Sequence, residues 1–286
     1  MIHIGLVNNM PDSALEATER QFRTLLSEAG EGHQIKLSLF ALPEVVRSDK
    51  AKCRIDGSYA SFGSLWGAKL DGLIVTGAEP VTPKLVDEPC WPSMVKLIDW
   101  AERNTYSSVW SCLAAHAAVL RLDGIKRRPL QDKVFGIYEC AKICDSRLTA
   151  GLPDRVWMPH SRWNDLPKDA LLGCGYRILT RSDEVGVDGF EKQGKSLFVF
   201  FQGHPEYEAG SLLLEYRRDL KRFLNEESAR RPSMPQGYFA GGVRGPWHPT
   251  AVRLYRNWLR HLAEQQSNAL RTMVRPAETR VNAITA

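Results

Sequence analysis

The sequence predicts an α/β fold: a doubly wound, mostly parallel sheet with extra antiparallel strands and a C-terminal helix. Two observations carry this. Short apolar runs alternate with helical stripes through the first half of the chain, joined by short loops. Near the middle, the β-branched and aromatic run Tyr106 to Trp110 passes through Ser111 and Cys112 into the small, helix-favouring stretch from Leu113 to Leu120. That is a strand, a sharp turn and a helix.

The elements follow in order. Ile2 to Val7 is a first apolar strand, and Asn8-Asn9-Met10-Pro11-Asp12 is a turn with Asp12 or Ser13 as helix cap. Leu15, Phe22, Leu25 and Leu26 give a helical stripe over 13–29, stopped by Gly30 and Gly32. Ile35 to Phe40 alternates as a second strand. Residues 41–62 are mixed and polar, and no element is read there. Leu70 to Val75 is a third strand, ending in Thr76-Gly77-Ala78-Glu79-Pro80, a loop at the edge where open parallel sheets bind ligands. Pro92 to Arg103 is a helix. Beyond the central turn, Lys133 to Tyr138 reads as a strand. Tyr176 to Thr180, Glu184 to Val187 and Ser196 to Phe201 follow at close spacing, an antiparallel pattern. Helices are expected over 209–225 and 250–264, separated by a Gly- and Pro-rich loop at 226–246. The reading is one domain over 1–266 and a poorly ordered tail over 267–286.

Composition narrows the partners. The chain has 286 residues, 43% hydrophobic, enough for a full core. Its net charge of +5 is concentrated in the Lys126-Arg127-Arg128 turn and the C-terminal third. A mild basic excess suits an anionic substrate such as a coenzyme A ester, and no basic face interleaved with aromatics points to nucleic acid. No run of eighteen apolar residues predicts a membrane span. The N-terminus reads as a strand, not a signal peptide. Six cysteines without a CxxC pair fit reduced thiols in the cytoplasm. Cys140 and Cys144, with His160 nearby, match no usual zinc spacing, so no metal is expected.

Two short stretches carry the chemistry. Cys112 sits at the bend between strand and helix, where the first N–H groups of the helix favour a thiolate and can hold an oxyanion. A buried structural cysteine is the alternative. His204-Pro205-Glu206 closes a nearly all-apolar strand, so its polar groups fall at the sheet edge that must also hold Cys112. The proline sets the turn, and the carboxylate can hold the imidazole in one tautomer, as the acid of a triad does. A structural His–Glu pair is the alternative. Taken together, the two stretches favour a Cys–His–Glu triad.

These pieces resemble the class I glutamine amidotransferase-like (flavodoxin-like) fold. Within it the resemblance is to the homoserine O-acyltransferases of methionine biosynthesis, the homoserine O-succinyltransferase group. Seven pieces carry it in order: Asn8-Asn9-Met10-Pro11, Thr76-Gly77-Ala78, Cys112, Lys133 in a KxxGxYE pattern, Pro159-His160-Ser161-Arg162, Gly203-His204-Pro205-Glu206-Tyr207 and Glu215-Tyr216-Arg217-Arg218-Asp219. The resemblance implies Cys112 as the nucleophile that forms an acyl-thioester, His204 as general base and Glu206 as its orienting partner. It implies Lys133, Ser161 and Arg218 as substrate-binding residues, with Arg217 the near-miss in register. It also implies a homodimer and ping-pong transfer from acyl-coenzyme A, a co-substrate, to the hydroxyl of a small hydroxy-amino acid, with no cofactor. Val81 falls at the position that sets acyl size. A neutral side chain there favours succinyl over acetyl, unless Glu79 turns inward and repels the succinyl carboxylate.

The pattern departs in places. Leu113 stands where the family often has Trp, His116 where it often has Gln, and Glu79 interrupts the loop before Pro80. His116 is expected to pack. Three alternatives remain at this point: acetyl transfer to homoserine or serine, glutamine hydrolysis of the amidotransferase kind, and a non-catalytic binding module. Trp110 and Ala114, where amidotransferase elbows usually carry glycines, weigh against glutamine hydrolysis.

Overall fold

The computed structural model describes residues 1–238 and 245–274. Strand β1 (Ile2–Val7) leads through helix α1 (Asp12–Ala29) to β2 (Ile35–Phe40), and the two strands pair in parallel. Helix α2 (Asp49–Ser58) follows, capped by the Ser48 side chain on the Ala51 N–H. It occupies the stretch in which no element was legible, because only one of its residues, Ala51, is buried and no apolar stripe marks it. Next come β3 (Gly72–Val75), α3 (Trp91–Asn104), β4 (Ser107–Ser111) and α4 (Leu113–Asp123). Strand β3 lies between β1 and β4, parallel to both.

The chain then leaves this sheet. Strands β5 (Arg128–Lys142) and β6 (Arg155–Asp165) form a long antiparallel pair, and the short helix α5 (Lys168–Gly173) follows. Strand β5 is longer than the Lys133–Tyr138 expected, and β6 was not expected at all. Trp157 and Trp163 on β6 are partly exposed while Met158 and His160 are buried, an inside-out alternation that masks the strand in the sequence. Strands β7 (Arg177–Ile178), β8 (Thr180–Ser182), β9 (Gly186–Val187), β10 (Gly189–Gln193) and β11 (Leu197–Phe201) complete the strand set among the described residues. The smaller sheet has the order β6-β5-β8-β9, and the main sheet the order β2-β1-β3-β4-β11-β10-β7.

One expectation needs correction here. The run ending at Phe201 is antiparallel only to β10; on its other side β11 is parallel to β4, with Phe201 level with Ser111. Its five residues Leu-Phe-Val-Phe-Phe are all buried, the pattern of a strand covered on both faces of a parallel sheet. This register sets the residues after Phe201 beside those after Ser111.

Two apolar clusters cover the two faces of the main sheet. One joins Ile4, Leu6 and Ile74 to Phe22 and Leu25 of α1, and the other joins Leu73, Val75 and Trp110 to Leu97 of α3 and Ala115 of α4. Helix α6 (Ser211–Leu224) and helix α7 (His248–Val274) close the chain. Helix α7 presses Trp258 and Leu262 onto Gly72, where a Cβ would lie within 2.9 Å of either side chain. It runs past residue 266 to Val274; the rest of the expected tail, 275–286, lies outside the described residues. So do residues 239–244 of the expected 226–246 loop. No described helix is long and apolar enough to cross a membrane.

Candidate active site

A cleft of about 1180 Å³ opens along the C-terminal edge of the parallel strands. Its walls come from Met10 and Pro11 after β1, Gly77 to Pro80 after β3, Cys112 and Leu113 after β4, and His204 and Tyr207 after β11. These are the loops that a doubly wound sheet gathers at one edge. The Asn8-Asn9 pair holds them in place. The Asn9 N–H donates to Thr76 Oγ1 at 2.8 Å, and Asn9 Oδ1 accepts from the Leu42 N–H at 3.1 Å, so one buried residue ties three strand ends.

Cys112 caps α4 with φ 52° and ψ −116°, a backbone that L-residues rarely adopt and that persists where the surroundings enforce it. Its N–H donates to the Phe201 carbonyl at 2.8 Å, which anchors the bend to β11. The Cys112 side chain is partly exposed in the cleft. Gly77 packs so closely on this bend that a Cβ would lie 3.1 Å from the Leu113 nitrogen. The start of α4 is thereby pressed against the loop after β3.

His204 and Glu206 are both buried, with Nδ1 and Oε1 2.8 Å apart. The Pro159 carbonyl accepts the His204 N–H at 2.8 Å and pins the turn to β6. The Cys112 thiol lies close enough to His204 to act on its protonation, which brings the three residues together. Burial alone would lower the His204 pKa, but Glu206 and the Cys112 contact outweigh it and hold the imidazole well above its ordinary value. The Tyr207 ring stacks on it at 4.2 Å.

The other expected residues meet beside this chain. Ser161 Oγ donates to Glu215 Oε2 at 2.5 Å, Lys133 Nζ lies 2.9 Å from Asp219 Oδ2, and Arg218 Nη2 lies 2.8 Å from Asp219 Oδ1. Glu215 and Asp219, one turn apart on α6, thus tie all three together, and Tyr207 also donates to Glu215. Arg218 lines the cleft and Arg217 does not. Sequence reasoning missed Glu215, Asp219 and Tyr207 as site residues. Their i, i+4 spacing on a helix was the available signal.

The two candidate acyl selectors separate. Val81 is 71% exposed and does not line the cleft. The Glu88 carboxylate accepts the N–H groups of Val81 and Thr82 and turns the loop outward. Val81 thus lies outside the wall of this cleft. Glu79 does line the cleft, held by both oxygens on the Arg222 guanidinium, 3.1 Å at the longer contact. That hydrogen bond keeps its pKa below the ordinary carboxylate range.

His116 is buried one turn beyond Cys112, its Nε2 2.9 Å from Gln202 Oε1. Burial lowers its pKa to about 4, so it is neutral at working pH. A folded value below the unfolded one gives stability that is present above about pH 6.5 and lost as pH falls toward 4. Relative to His116→Gln, the wild type should therefore lose on the order of 3 kcal/mol of unfolding free energy between pH 7 and pH 4. Urea titrations of both proteins across that range check this; parallel pH profiles would contradict it. Among the described residues no group of three or more His, Cys, Asp and Glu could hold a metal ion.

Comparison with known proteins agrees with this geometry. A family model described as homoserine O-succinyltransferase matches residues 1–269. The chain belongs to the homoserine O-succinyltransferase family. It is 44% identical over 290 residues to the homoserine O-succinyltransferase of Methylorubrum extorquens, covering 90% of this chain and 86% of that protein. To that of Rhodopseudomonas palustris it is 52% identical over 243 residues, covering 85% and 73%. Among solved structures it is similar to a glutamine amidotransferase of Thermotoga maritima, with TM-score 0.54, 14% identity, and 92% and 98% of the two chains covered. The glutaminase domain of Trypanosoma brucei CTPS matches with TM-score 0.56, 13% identity, and 92% and 94% covered. These structural likenesses show the class I glutamine amidotransferase-like fold that the family is built on.

Proposed function

We propose that this family member transfers the succinyl group of succinyl-coenzyme A to the hydroxyl of homoserine by way of a thioester on Cys112. The observation that supports this mechanism most is the buried chain from Glu206 through His204 to a partly exposed Cys112, at the mouth of a cleft lined with cations. Cys112 attacks the thioester carbonyl as a thiolate, balanced by the imidazolium that Glu206 supports. The tetrahedral oxyanion lies against the N–H groups at the start of α4. Coenzyme A leaves with the proton from His204. The neutral imidazole then takes the proton of the homoserine hydroxyl, which attacks the acyl-enzyme and releases Cys112.

The pair of acids on α6 gives the acceptor a place. Glu215 and Asp219 suit the ammonium of an amino acid, and Lys133 and Arg218 its carboxylate, with Ser161 beside them. All this needs only the co-substrate acyl-coenzyme A and no further cofactor. A cytoplasmic homodimer goes with this reading; the six cysteines, all unpaired, support a reducing compartment.

Donor and acceptor panels test the assignment. Succinyl- and acetyl-coenzyme A against homoserine and serine should give the highest kcat/KM for succinyl and homoserine, with parallel double-reciprocal lines. Intersecting lines, or a glutaminase activity in their place, would overturn it. Because Arg222 neutralises Glu79, Glu79→Gly should leave succinyl the better donor. A wild type that prefers acetyl, and gains succinyl use in Glu79→Gly, would make Glu79 the selector.

A further inference from the structure

The basic turn singled out in the sequence, Lys126-Arg127-Arg128, has no part in the mechanism above. Its middle residue lines the same cleft as Cys112, and the two are within electrostatic reach of each other. Most cations of that cleft already have carboxylate partners: Lys133 and Arg218 share Glu215 and Asp219, Arg222 has Glu79, and Arg162 has Asp165 at 3.1 Å. Arg127 is different. It is half-buried, and the one hydrogen bond of its guanidinium among the described residues goes to the Pro83 carbonyl, at 3.2 Å. Burial lowers its pKa, and the acidic groups near enough to offset this are Glu88 and the Cys112 thiol. A half-buried guanidinium with no carboxylate in direct contact among the described residues is costly unless a ligand completes it.

We propose that Arg127 is the counter-charge for the free carboxylate of the succinyl group, and so a specificity-determining residue for the acyl donor. The proposal rests on the reading of Cys112 as the acceptor of that group. Geometry favours the acyl carboxylate over the phosphates of coenzyme A. Cys112 must touch the thioester carbon, and the far carboxyl carbon of an extended succinyl chain lies three bonds beyond it, roughly 4 Å. A cation near the thiol therefore meets the acyl chain. The phosphates lie at the other end of the pantetheine arm, and the cleft offers them Arg230 and Arg231, both exposed and without carboxylate partners among the described residues. The guanidinium fork also matches a carboxylate with two parallel hydrogen bonds.

The test compares succinyl- with butyryl-coenzyme A, which has the same chain length with a methyl in place of the carboxylate. Acylation is read as coenzyme A released in a single turnover without acceptor. The ratio of the two rates cancels everything the shared coenzyme A contributes. In Arg127→Gln that ratio should fall roughly 10- to 100-fold, and Arg127→Lys should restore part of it. Calorimetric binding of both donors to Cys112→Ala, with and without Arg127→Gln, should show the same selective loss of succinyl-coenzyme A affinity, independent of turnover. Equal losses for both donors, as for a phosphate contact or a misfolded variant, would overturn the proposal, and so would no loss at all. A wild type that releases no coenzyme A from either donor would instead sink the acyl-enzyme reading on which the proposal stands.

Discussion

Cys112→Ala should lose acyl transfer by roughly four orders of magnitude or more, since removal of a nucleophile leaves only binding and the oxyanion site. The protein should stay folded, because the side chain is partly exposed and its loss opens little cavity. Serine at the same place should be nearly as poor, because its hydroxyl is far less acidic than a thiol. A third substitution separates chemistry from strain. Cys112 holds φ 52°, a conformation that glycine adopts without a Cβ penalty. Cys112→Gly should therefore be inactive yet more stable than the wild type, by about 1–3 kcal/mol. Melting curves and initial rates on the three variants check this. Activity retained in Cys112→Ala would remove the nucleophile from the account. A Cys112→Gly protein less stable than wild type would show that the bend carries no strain.

The second large effect is expected at Glu206. Glu206→Gln keeps the shape but removes the charge, and kcat should fall roughly 10⁴-fold, as when the acid of a triad becomes an amide. The pH dependence adds a signed readout. Glu206 is among the groups that raise the His204 pKa, and deacylation needs His204 neutral to accept the homoserine proton. In the wild type the rate of that half-reaction should therefore rise with pH along a limb as His204 loses its proton. In Glu206→Gln the limb should move to lower pH, since the neutral amide no longer favours the imidazolium. A limb that stays in place, or moves up, would deny Glu206 its role. Measuring deacylation separately keeps this apart from acylation, which uses the opposite protonation state.

How much could be read beforehand followed from where each signal was local. The Cys112 bend was legible because a buried strand, a small-residue helix and the cysteine between them are contiguous. His204-Pro205-Glu206 was legible for the same reason. Their meeting depends on β11 lying parallel to β4, a long-range pairing that the close-spaced strands around it disguised as antiparallel. Strand β6 and helix α2 were missed because their exposed and buried residues do not alternate in the expected way. Val81 was placed by counting along a loop. Loop direction is set by the Glu88 carboxylate seven residues on, which no count can register. Glu215 and Asp219 were visible as part of a motif but not as a site, because their role depends on Lys133 of β5 and Ser161 of β6 reaching α6 from elsewhere in the chain.

The central claim is the acyl-enzyme on Cys112. The most direct measurement is the intact mass of the protein after incubation with succinyl-coenzyme A and no acceptor, followed by peptide mapping and then by addition of homoserine. The account predicts one added succinyl group, found on the peptide carrying Cys112, absent in Cys112→Ala, and discharged to O-succinylhomoserine when homoserine is added. A protein that turns over without an adduct, an adduct on another residue, or one that homoserine does not discharge would contradict it.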